Sequence, residues 1–240
     1  MKDLTLKVCP HDTVHNPEGW YRLVQYLTAR LGTKIHFEIS LDFAEFHGSM
    51  TGASVVYANP SDAIQLLDAH HFCPLLRPGE TYDEAMLVAG PDGPLPELDA
   101  INGAVVASVE NLLPTKIALK MLRERGITPA SVAHHDSWLS VVRSVWNGES
   151  PFGILYQDAY NELSPQGRAM IRVLQTTSER SAFHMFTARP DLCDDLSALT
   201  AALTAMHSDP EGMSVMRDIT IPAWIPISDD EMTGLRAICA

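Results

Sequence analysis

Short apolar runs alternate with amphipathic helical segments along almost the whole chain, and this alternation limits the possible folds more than any other feature. The segments Leu4–Cys9, Lys34–Ser40 and Ala53–Tyr57 predict strands, and a helical pattern separates each of them from the next. Strands that alternate with helices are typical of α/β folds in which most strands run parallel. We therefore predict an α/β architecture.

The alternation restarts after residue 72, which predicts two α/β units of similar construction. A glycine- and proline-rich loop at Gly90–Pro96 precedes further predicted strands at 104–109, 131–134 and 152–156. A chain of 240 residues is long enough to form two lobes. In folds of this class, ligands bind beyond the carboxyl ends of strands, often between two lobes, so we expect the functional residues directly after the strands.

The charge balance excludes some partners. Lys and Arg total 17 and Asp and Glu total 30, so the formal net charge is −13. Such a chain repels nucleic acid and anionic lipid, and we predict neither as a partner. No apolar run approaches the ~18–20 residues that span a bilayer, so we predict no membrane insertion. An anionic ligand stays possible, because a pocket can be locally positive.

The chain start and the cysteines bear on the cellular compartment. Lys2-Asp3 leads at once into a strand with no apolar signal segment. We expect a cytoplasmic protein as the sequence stands, and a periplasmic one if a signal has been removed. The cysteines are far apart and form no CxxC pair, and we interpret them as reduced core residues rather than disulfide partners. They are Cys9, Cys73, Cys193 and Cys239.

Polar and aromatic residues follow several predicted strands and are our candidate ligand-binding residues. They are His11, Tyr57, Ser108, Glu110, Asn111, His135, Tyr156 and Asp158. Ser108 and Asn111 stand near a helix start, where unpaired N–H groups and the helix dipole favour anions. Both residues can equally serve only as helix caps. His135 adds a donor that becomes cationic near neutral pH.

Several short passages resemble a known family. The segment Asp99–Ser108 resembles a passage of solute-binding proteins of bacterial ABC transporters, specifically of the phosphonate/phosphate/phosphite-binding group. Asn111-Leu112-Leu113-Pro114 is similar to the helix entry of that group, and Tyr57-Ala58-Asn59-Pro60 is similar to the end of its third strand. His135-Asp136, followed by Asn147-Gly148, is similar to its histidine segment.

The resemblance covers roughly residues 4–220 and implies a type II periplasmic-binding-protein-like fold. Two lobes, each a mixed sheet flanked by helices, would be joined by two crossover strands. The first lobe would comprise about 1–88 plus 179–240 and the second about 89–178, with a ligand cleft between them that closes by a hinge motion. The implied function is capture of a small polar ligand for transport or sensing, with an ABC permease or a sensor or regulator protein as partner.

The chain departs from the family at the anion-binding turn. The family grips its oxyanion with Ser-Thr-Ser-Gly, whereas the matching stretch here is Ala107-Ser108-Val109-Glu110, in which only Ser108 keeps a hydroxyl. The Glu110 carboxylate would repel a phosphonate dianion. The ligand is therefore either an oxyanion such as phosphate or phosphonate, or an altered one: a cation, a zwitterion, a neutral molecule or a metal ion.

Two other functions stay open. One is a cytoplasmic enzyme on the same bilobal fold, resembling the menaquinone-pathway or thiamin-pyrimidine enzymes, with His135 and Asp158 as acid and base. The other is a metal-binding variant that uses His11, His135 and Glu110. His11 and His15 fall in a predicted loop, so their spacing does not ensure a shared face. No phosphate-binding loop, dinucleotide fingerprint or nucleophile elbow is present. We therefore predict no cofactor, no metal and no catalytic residue, and favour binding over catalysis.

Overall fold

A computed structural model describes residues 3–110 and 112–240. Its strands are β1 (Leu4–Val8), β2 (Ile35–Glu38), β3 (Val55–Ala58), β4 (Cys73–Pro78), β5 (Ala85–Ala89), β6 (Val105–Val109), β7 (Ser131–His135), β8 (Phe152–Tyr156), β9 (Arg172–Thr176), β10 (Met185–Ala188) and β11 (Trp224–Ile225). Its α-helices are α1 (Pro10–His15), α2 (Pro17–Leu31), α3 (Phe43–Ser49), α4 (Pro60–His70), α5 (Leu113–Glu124), α6 (Trp138–Trp146), α7 (Gln157–Asn161), α8 (Pro165–Ala169), α9 (Ser197–Ala205), α10 (Pro210–Asp218) and α11 (Asp229–Cys239). Short 3₁₀ helices lie at Met50–Gly52, Leu98–Ile101, Pro190–Leu192 and Met206–Ser208.

The chain divides into two units. Unit 1 comprises the residues up to Tyr82 and those from Phe183 onward, and unit 2 comprises Asp83–Ala182. The boundaries predicted from the sequence, 88/89 and 178/179, lie a few residues away. The whole of β5 belongs to unit 2, because it pairs with β8 on one side and β9 on the other.

Unit 1 is built on a mixed sheet with the strand order β11-β4-β10-β3-β1-β2. Strand β1 runs parallel to both β2 and β3, while β10 runs antiparallel to β3 and β4. Leu4, Leu6 and Val8 alternate along β1 and are buried in one cluster with Trp20 and Leu23 of α2. The apolar alternation therefore sets which face of β1 meets the core.

Unit 2 is built on a second mixed sheet with the order β7-β6-β8-β5-β9. Strands β7 and β8 run parallel to β6, and β5 runs antiparallel to β8 and β9. Helix α6 packs against β8, where Val141 and Val145 are fully buried. Each unit is a mixed sheet flanked by helices, which confirms the predicted fold class.

The interpretation of all cysteines as reduced is wrong for one pair. Cys73 and Cys193 form a disulfide in unit 1 across a sequence separation of 120 residues. Cys73 lies opposite Ala188 in the antiparallel pairing of β4 with β10, and the chain then turns through Pro190–Leu192 to bring Cys193 back to it. Strand pairing thus joins two cysteines that their sequence spacing gave no reason to connect.

No helix within the described ranges is both long and apolar enough to cross a bilayer.

Candidate functional site

Parallel pairing brings the carboxyl ends of β1, β2 and β3 to one edge of the unit 1 sheet. Because β10 is antiparallel to β3, its amino end reaches the same edge, and Met185 lies opposite Ala58. The loop after each parallel strand and the residue before β10 therefore meet there. We call this the unit 1 edge.

His11 lies at the unit 1 edge on a short helix, not in a loop as predicted. Pro10 takes the first position of α1, where its missing N–H costs nothing, and the six-residue helix ends at His15. The spacing of four puts both imidazoles on one face, with ring centroids 4.9 Å apart in an edge-on arrangement. The ring of His11 is also 6.5 Å from that of His184.

Tyr57 is almost completely buried near the end of β3. Its ring lies 4.9 Å from Trp20 and 5.0 Å from Phe186, and it meets Trp224 edge-on at 5.6 Å. The His184 ring lies 5.7 Å from it. Tyr57 thus links the aromatic core of unit 1 to the polar groups of its edge.

His184 and Asp12 form an imidazole–carboxylate pair that the sequence did not predict as functional. The two groups are 3.0 Å apart, His184 Nδ1 to Asp12 Oδ2, and His184 is only 9% exposed. The backbone carbonyl of Asp12 also accepts a hydrogen bond from Trp20 Nε1 at 3.1 Å. An ionised carboxylate at this distance keeps the proton on Nδ1 and fixes the orientation of the ring.

A second carboxylate–imidazole pair lies where α4 begins. Asn59 caps α4 by accepting from the Asp62 N–H at 3.0 Å, and its amide donates to Asp62 Oδ2 at 2.6 Å. The other oxygen of Asp62 lies 2.9 Å from His47 Nε2. The Asn59 amide also lies 3.8 Å from Cys9 Sγ. Burial, with a further contribution from the nearby Asp12 charge, raises the pKa of the Cys9 thiol to about 12. Cys9 therefore offers no thiolate at neutral pH.

The carboxyl ends of β6, β7 and β8 form the corresponding unit 2 edge, because β7 and β8 run parallel to β6. Ser108 is fully buried below it. Its hydroxyl is 2.7 Å from Thr115 Oγ1 of α5 and 3.5 Å from the Ile154 carbonyl. Glu110 lies in an exposed turn after β6, and Asn111 lies outside the described residues. The N-cap of α5 is Leu112, whose side chain cannot cap, so Ser108 is not the cap.

His135 ends β7 and lies opposite Val109 of β6. Its Nε2 atom is buried and has no hydrogen-bond partner among the described residues. Buried polar atoms in native proteins are almost always hydrogen-bonded, and leaving one unpaired costs about 1–3 kcal/mol. The unit 2 edge therefore contains one polar atom that the described chain does not satisfy.

Tyr156 ends β8 and lies between two carboxylates. Its hydroxyl is 3.0 Å from Asp83 Oδ1 and 3.0 Å from Asp158 Oδ2. A phenol has one proton, so it can donate to only one of the two at a time. Burial, followed by the charges of Asp83 and then Asp158, raises the pKa of Tyr156 far above its ordinary value. The phenol stays protonated and serves as a hydrogen-bond donor.

The described site residues are divided between the two units. His11 and Tyr57 both lie near His184 in unit 1. Tyr156 contacts Asp158 in unit 2, and Ser108 and His135 belong to adjacent parallel strands. Asp12, His184 and Asp83 were not among the predicted residues. Among the described residues, no three His, Cys, Asp or Glu side chains are grouped so that they could hold a metal ion.

The fold matches solved structures of low sequence identity. A sulfonate-binding protein of Methylobacillus flagellatus, described as a putative periplasmic component of an ABC transporter, is 12% identical with a TM-score of 0.75, covering 100% of this chain and 85% of its own. The protein PhnD1 of Prochlorococcus marinus, solved with methylphosphonate, is 10% identical with a TM-score of 0.74, covering 99% and 97%. The protein XAC2383 of Xanthomonas citri, solved with chloride, is 17% identical with a TM-score of 0.73, covering 99% and 96%.

No curated protein sequence is significantly similar to this chain. The model of one protein family does match, over residues 8–232, and its description is "ABC transporter, phosphonate, periplasmic substrate-binding protein". The match covers nearly the whole chain, including both sheet edges, and it confirms the resemblance found in the sequence. This chain therefore belongs to the family of periplasmic substrate-binding proteins of phosphonate ABC transporters.

Proposed function

We propose that the chain captures a small oxyanion of the phosphonate class and delivers it to an ABC permease. Family membership implies a small ligand and an ABC permease as partners. Methylphosphonate and chloride, bound in two proteins of the same fold, are both small anions. We favour delivery to a permease over a sensor or regulator partner because the family is one of transport proteins. Neither the family nor the solved relatives support the enzyme alternative.

One observation carries the assignment of the binding group. The buried His135 Nε2 has no partner in the described chain, and it lies at the carboxyl end of a parallel strand, where ligands of α/β proteins bind. An imidazole N–H at this position is a suitable donor to an oxyanion, and a protonated ring would add a positive charge. We propose that His135 donates to the ligand oxygen.

The other predicted residues take supporting roles in this proposal. Tyr156 gives its single phenolic proton to Asp83 or Asp158, and it thereby fixes the position of the Asp158 carboxylate beside the ligand. Asn111 keeps the ligand-binding role predicted from the sequence, and Ser108 stiffens the start of α5 through Thr115. Glu110 modulates charge from its exposed turn. These roles belong to the unit 2 edge.

His11 and Tyr57 contribute in the same way from the unit 1 edge. His11 offers a ring nitrogen beside His15 and His184, and Tyr57 fixes the position of the His184 ring through their contact.

Calorimetry with a panel of probes tests the proposal. The panel contains methylphosphonate, inorganic phosphate, a short alkyl sulfonate and an aminoalkyl phosphonate. We expect at least one to bind, and we expect His135→Ala to abolish that binding. His134→Ala is the matched control, because the adjacent residue of β7 is exposed and its side chain points to the other face. Folded wild-type protein that binds no probe, or equal losses in the two variants, would contradict the proposal.

Glu110→Gln separates an oxyanion from an altered ligand. Removing an exposed negative charge near the binding group strengthens the binding of an anion by about two- to tenfold at low salt, and less at high salt. A cationic ligand would instead bind more weakly to the variant. Titration of wild type and Glu110→Gln with the same probe at two salt concentrations distinguishes the two cases.

A further inference from the structure

The chain crosses between its two units twice. Each unit has one buried charged residue that contacts both crossings, Arg77 in unit 1 and Glu84 in unit 2. We call residues 79–84 the first crossing and residues 177–183 the second crossing. The first crossing leaves unit 1 after Tyr82, and the second crossing re-enters unit 1 at Phe183. Within unit 2, the Asp83 N–H donates to the Ala182 carbonyl at 2.8 Å, which pairs the two crossings directly.

On the side of unit 1, Arg77 holds both crossings through its guanidinium. Arg77 is only 5% exposed, and its Cζ atom lies 5.3 Å from the ring centroid of Tyr82 and 5.1 Å from that of Phe183. A guanidinium within about 6 Å of an aromatic face is attracted to it, more strongly when water is excluded. One side chain thus contacts an aromatic residue of each crossing.

Arg77 is itself anchored to the C-terminal helix. Its Nε donates to Glu231 Oε1 at 2.9 Å, Nη2 donates to the same oxygen, and Nη1 donates to the Pro78 carbonyl at 2.8 Å. Glu231 also completes a capping box with Ser228 at the start of α11. Burial opposes ionisation of Glu231, but hydrogen bonds from Ser228 and Arg77 outweigh it and lower the pKa of this carboxyl. The clamp on the side of unit 1 is therefore fixed to a helix.

On the side of unit 2, Glu84 performs the same task with the opposite charge. Its carboxylate is 7% exposed and accepts from the N–H of Glu179 at 3.1 Å, from the N–H of Arg180 at 2.9 Å and from the hydroxyl of Thr177. A residue of the first crossing thus binds three donors of the second crossing. Consecutive backbone N–H groups with a left-handed residue form an anion-binding concavity.

Backbone strain shows how firmly this carboxylate organises the second crossing. Arg180 has φ +52°, a conformation that costs a residue with a side chain about 1–3 kcal/mol unless its surroundings impose it. The bond from its N–H to Glu84 supplies that constraint. Lys120 of α5 further holds the second crossing, because its Nζ lies 2.6 Å from Glu179 Oε1.

We propose that Arg77 and Glu84 are a matched pair of positioning residues. Each holds both crossings from its own unit, so that local conformational change is confined to the links Tyr82–Asp83 and Ala182–Phe183. Ligand capture depends on this confinement, a part of the inference that rests on the proposed function.

Amide hydrogen exchange resolved by residue tests the clamps without any ligand. The reporter is the Asp83 N–H, which bonds to Ala182 and to neither clamp. We expect Arg77→Lys and Glu84→Gln each to raise its exchange rate about tenfold or more, because each removes charged hydrogen bonds or stacking that hold the crossings together. The matched controls are Arg236→Lys, which alters an exposed ion pair, and Glu149→Gln, which alters an exposed hydrogen bond to Asn147; both should leave this rate unchanged.

A purely local role for these residues gives a different result. Glu84→Gln would then accelerate exchange only at Glu179 and Arg180, and Arg77→Lys would accelerate it only in unit 1. The exchange rate of the Asp83 N–H would match that of the controls, and this result would overturn the proposal. Glu231→Gln provides a second variant if Arg77→Lys folds poorly, because it removes the anchor of Arg77 without touching either crossing. We expect it to raise the Asp83 rate as well, and an unchanged rate would count against the clamp.

A second measurement uses methylphosphonate as the probe. We expect both clamp variants to release it faster than wild type, while the two controls release it at the wild-type rate. Equal release rates in all five proteins would overturn the link to ligand capture. If wild type binds no probe at all, the proposed function fails, and the exchange of Asp83 still decides whether the clamps exist.

Discussion

Unit 1 and unit 2 both place helices against a mixed sheet, yet they stabilise it by different means. Unit 1 is built around aromatic rings: Tyr57, Phe186 and Trp224 have pairwise ring-centroid distances of 4.8, 5.0 and 5.6 Å. The Cys73–Cys193 disulfide adds a covalent link to the same unit. Large rigid rings contribute much buried area each, so a few positions determine most of this core.

Unit 2 depends instead on close approach between aliphatic residues. Gly153 of β8 has no side chain, and a Cβ atom there would lie 2.9 Å from Val145 Cγ2 and 3.1 Å from both Val141 Cγ1 and Val88 Cγ2. Helix α6 packs tightly on β8 for this reason. A mixed sheet flanked by helices can therefore be stabilised by a few large aromatic side chains or by close packing around a glycine.

The two sheet edges differ as well. In the unit 1 edge, Asp12 pairs with His184 and Asp62 pairs with His47, so these polar groups stabilise the edge itself. In the unit 2 edge, the buried His135 Nε2 has no such partner within the described ranges. The two edges thus differ in whether their buried polar side chains are paired within the described chain.

Removal of the disulfide should give the largest difference between the units. The double variant Cys73→Ser/Cys193→Ser is expected to lower the free energy of unfolding of unit 1 by about 3–5 kcal/mol, because the unfolded chain regains the freedom of a long loop. Exchange of amides in β3 reports unit 1 and exchange of amides in β6 reports unit 2. The control is Cys239→Ser, which lies outside the disulfide. An equal loss in β6 and β3 would show that the two units do not differ in this respect.

A side chain added at Gly153 should instead destabilise unit 2. Gly153→Val is expected to lower the free energy of unfolding of unit 2 by about 1–3 kcal/mol, since overpacking forces Val145 and Val141 out of place. Gly167→Ala in α8 is the control, because a Cβ there meets only ordinary contacts at 3.4 Å or more. Urea unfolding measures both variants, and a harmless Gly153→Val would disprove the close-packing account.

Acid should affect unit 1 through Glu231. Because the pKa of Glu231 is lower in the folded protein than its ordinary value of 4.5, folding gains stability from this group above pH 4.5 and loses it as the pH falls through the folded value. We expect Glu231→Gln to be less stable than wild type near neutral pH and to lose less stability on acidification. Thermal unfolding between pH 3 and pH 7 measures this, and parallel pH profiles for the two proteins would contradict it.

Thiol reactivity should give the smallest effect and no change in stability. Cys9 is buried at the unit 1 edge with a pKa of about 12, so an alkylating reagent at pH 8 should leave it unmodified in the native protein. Cys239 is partly exposed on α11 and should react first. Mass spectrometry after alkylation, with urea-unfolded protein as reference, checks the order. Rapid native labelling of Cys9 would show that the unit 1 edge opens readily.

Elements whose signals are local could be predicted well from the sequence. Helix α2 begins after Asn16, which accepts from the Gly19 N–H, and ends where Gly32 takes a left-handed conformation. Helices α10 and α11 were not predicted, although Asp209 caps α10 and Ser228 caps α11. The Ser228-x-x-Glu231 capping box was the signal that could have revealed α11.

Features that depend on strand pairing could not be predicted. His184 reaches the unit 1 edge only because β10 runs antiparallel, so a search confined to the residues that follow strands misses it. The disulfide likewise needs the register that sets Cys73 opposite Ala188. The sequence predicted that Ser108, His135 and Tyr156 lie near strand ends, as they do in β6, β7 and β8, while their role in binding stays a prediction. The contact of Tyr156 with Asp83 could not be predicted, because the two residues are distant in the chain.

The covalent ring closed by Cys73 and Cys193 encloses the whole of unit 2. A protease that cuts the loop at 90–96 would therefore leave both fragments tethered, and the nick would become visible only on a reducing gel. Unit 2 is thus an insertion within the part of the chain that the disulfide closes into a ring. Another domain could therefore replace unit 2 without removal of either cysteine of the disulfide.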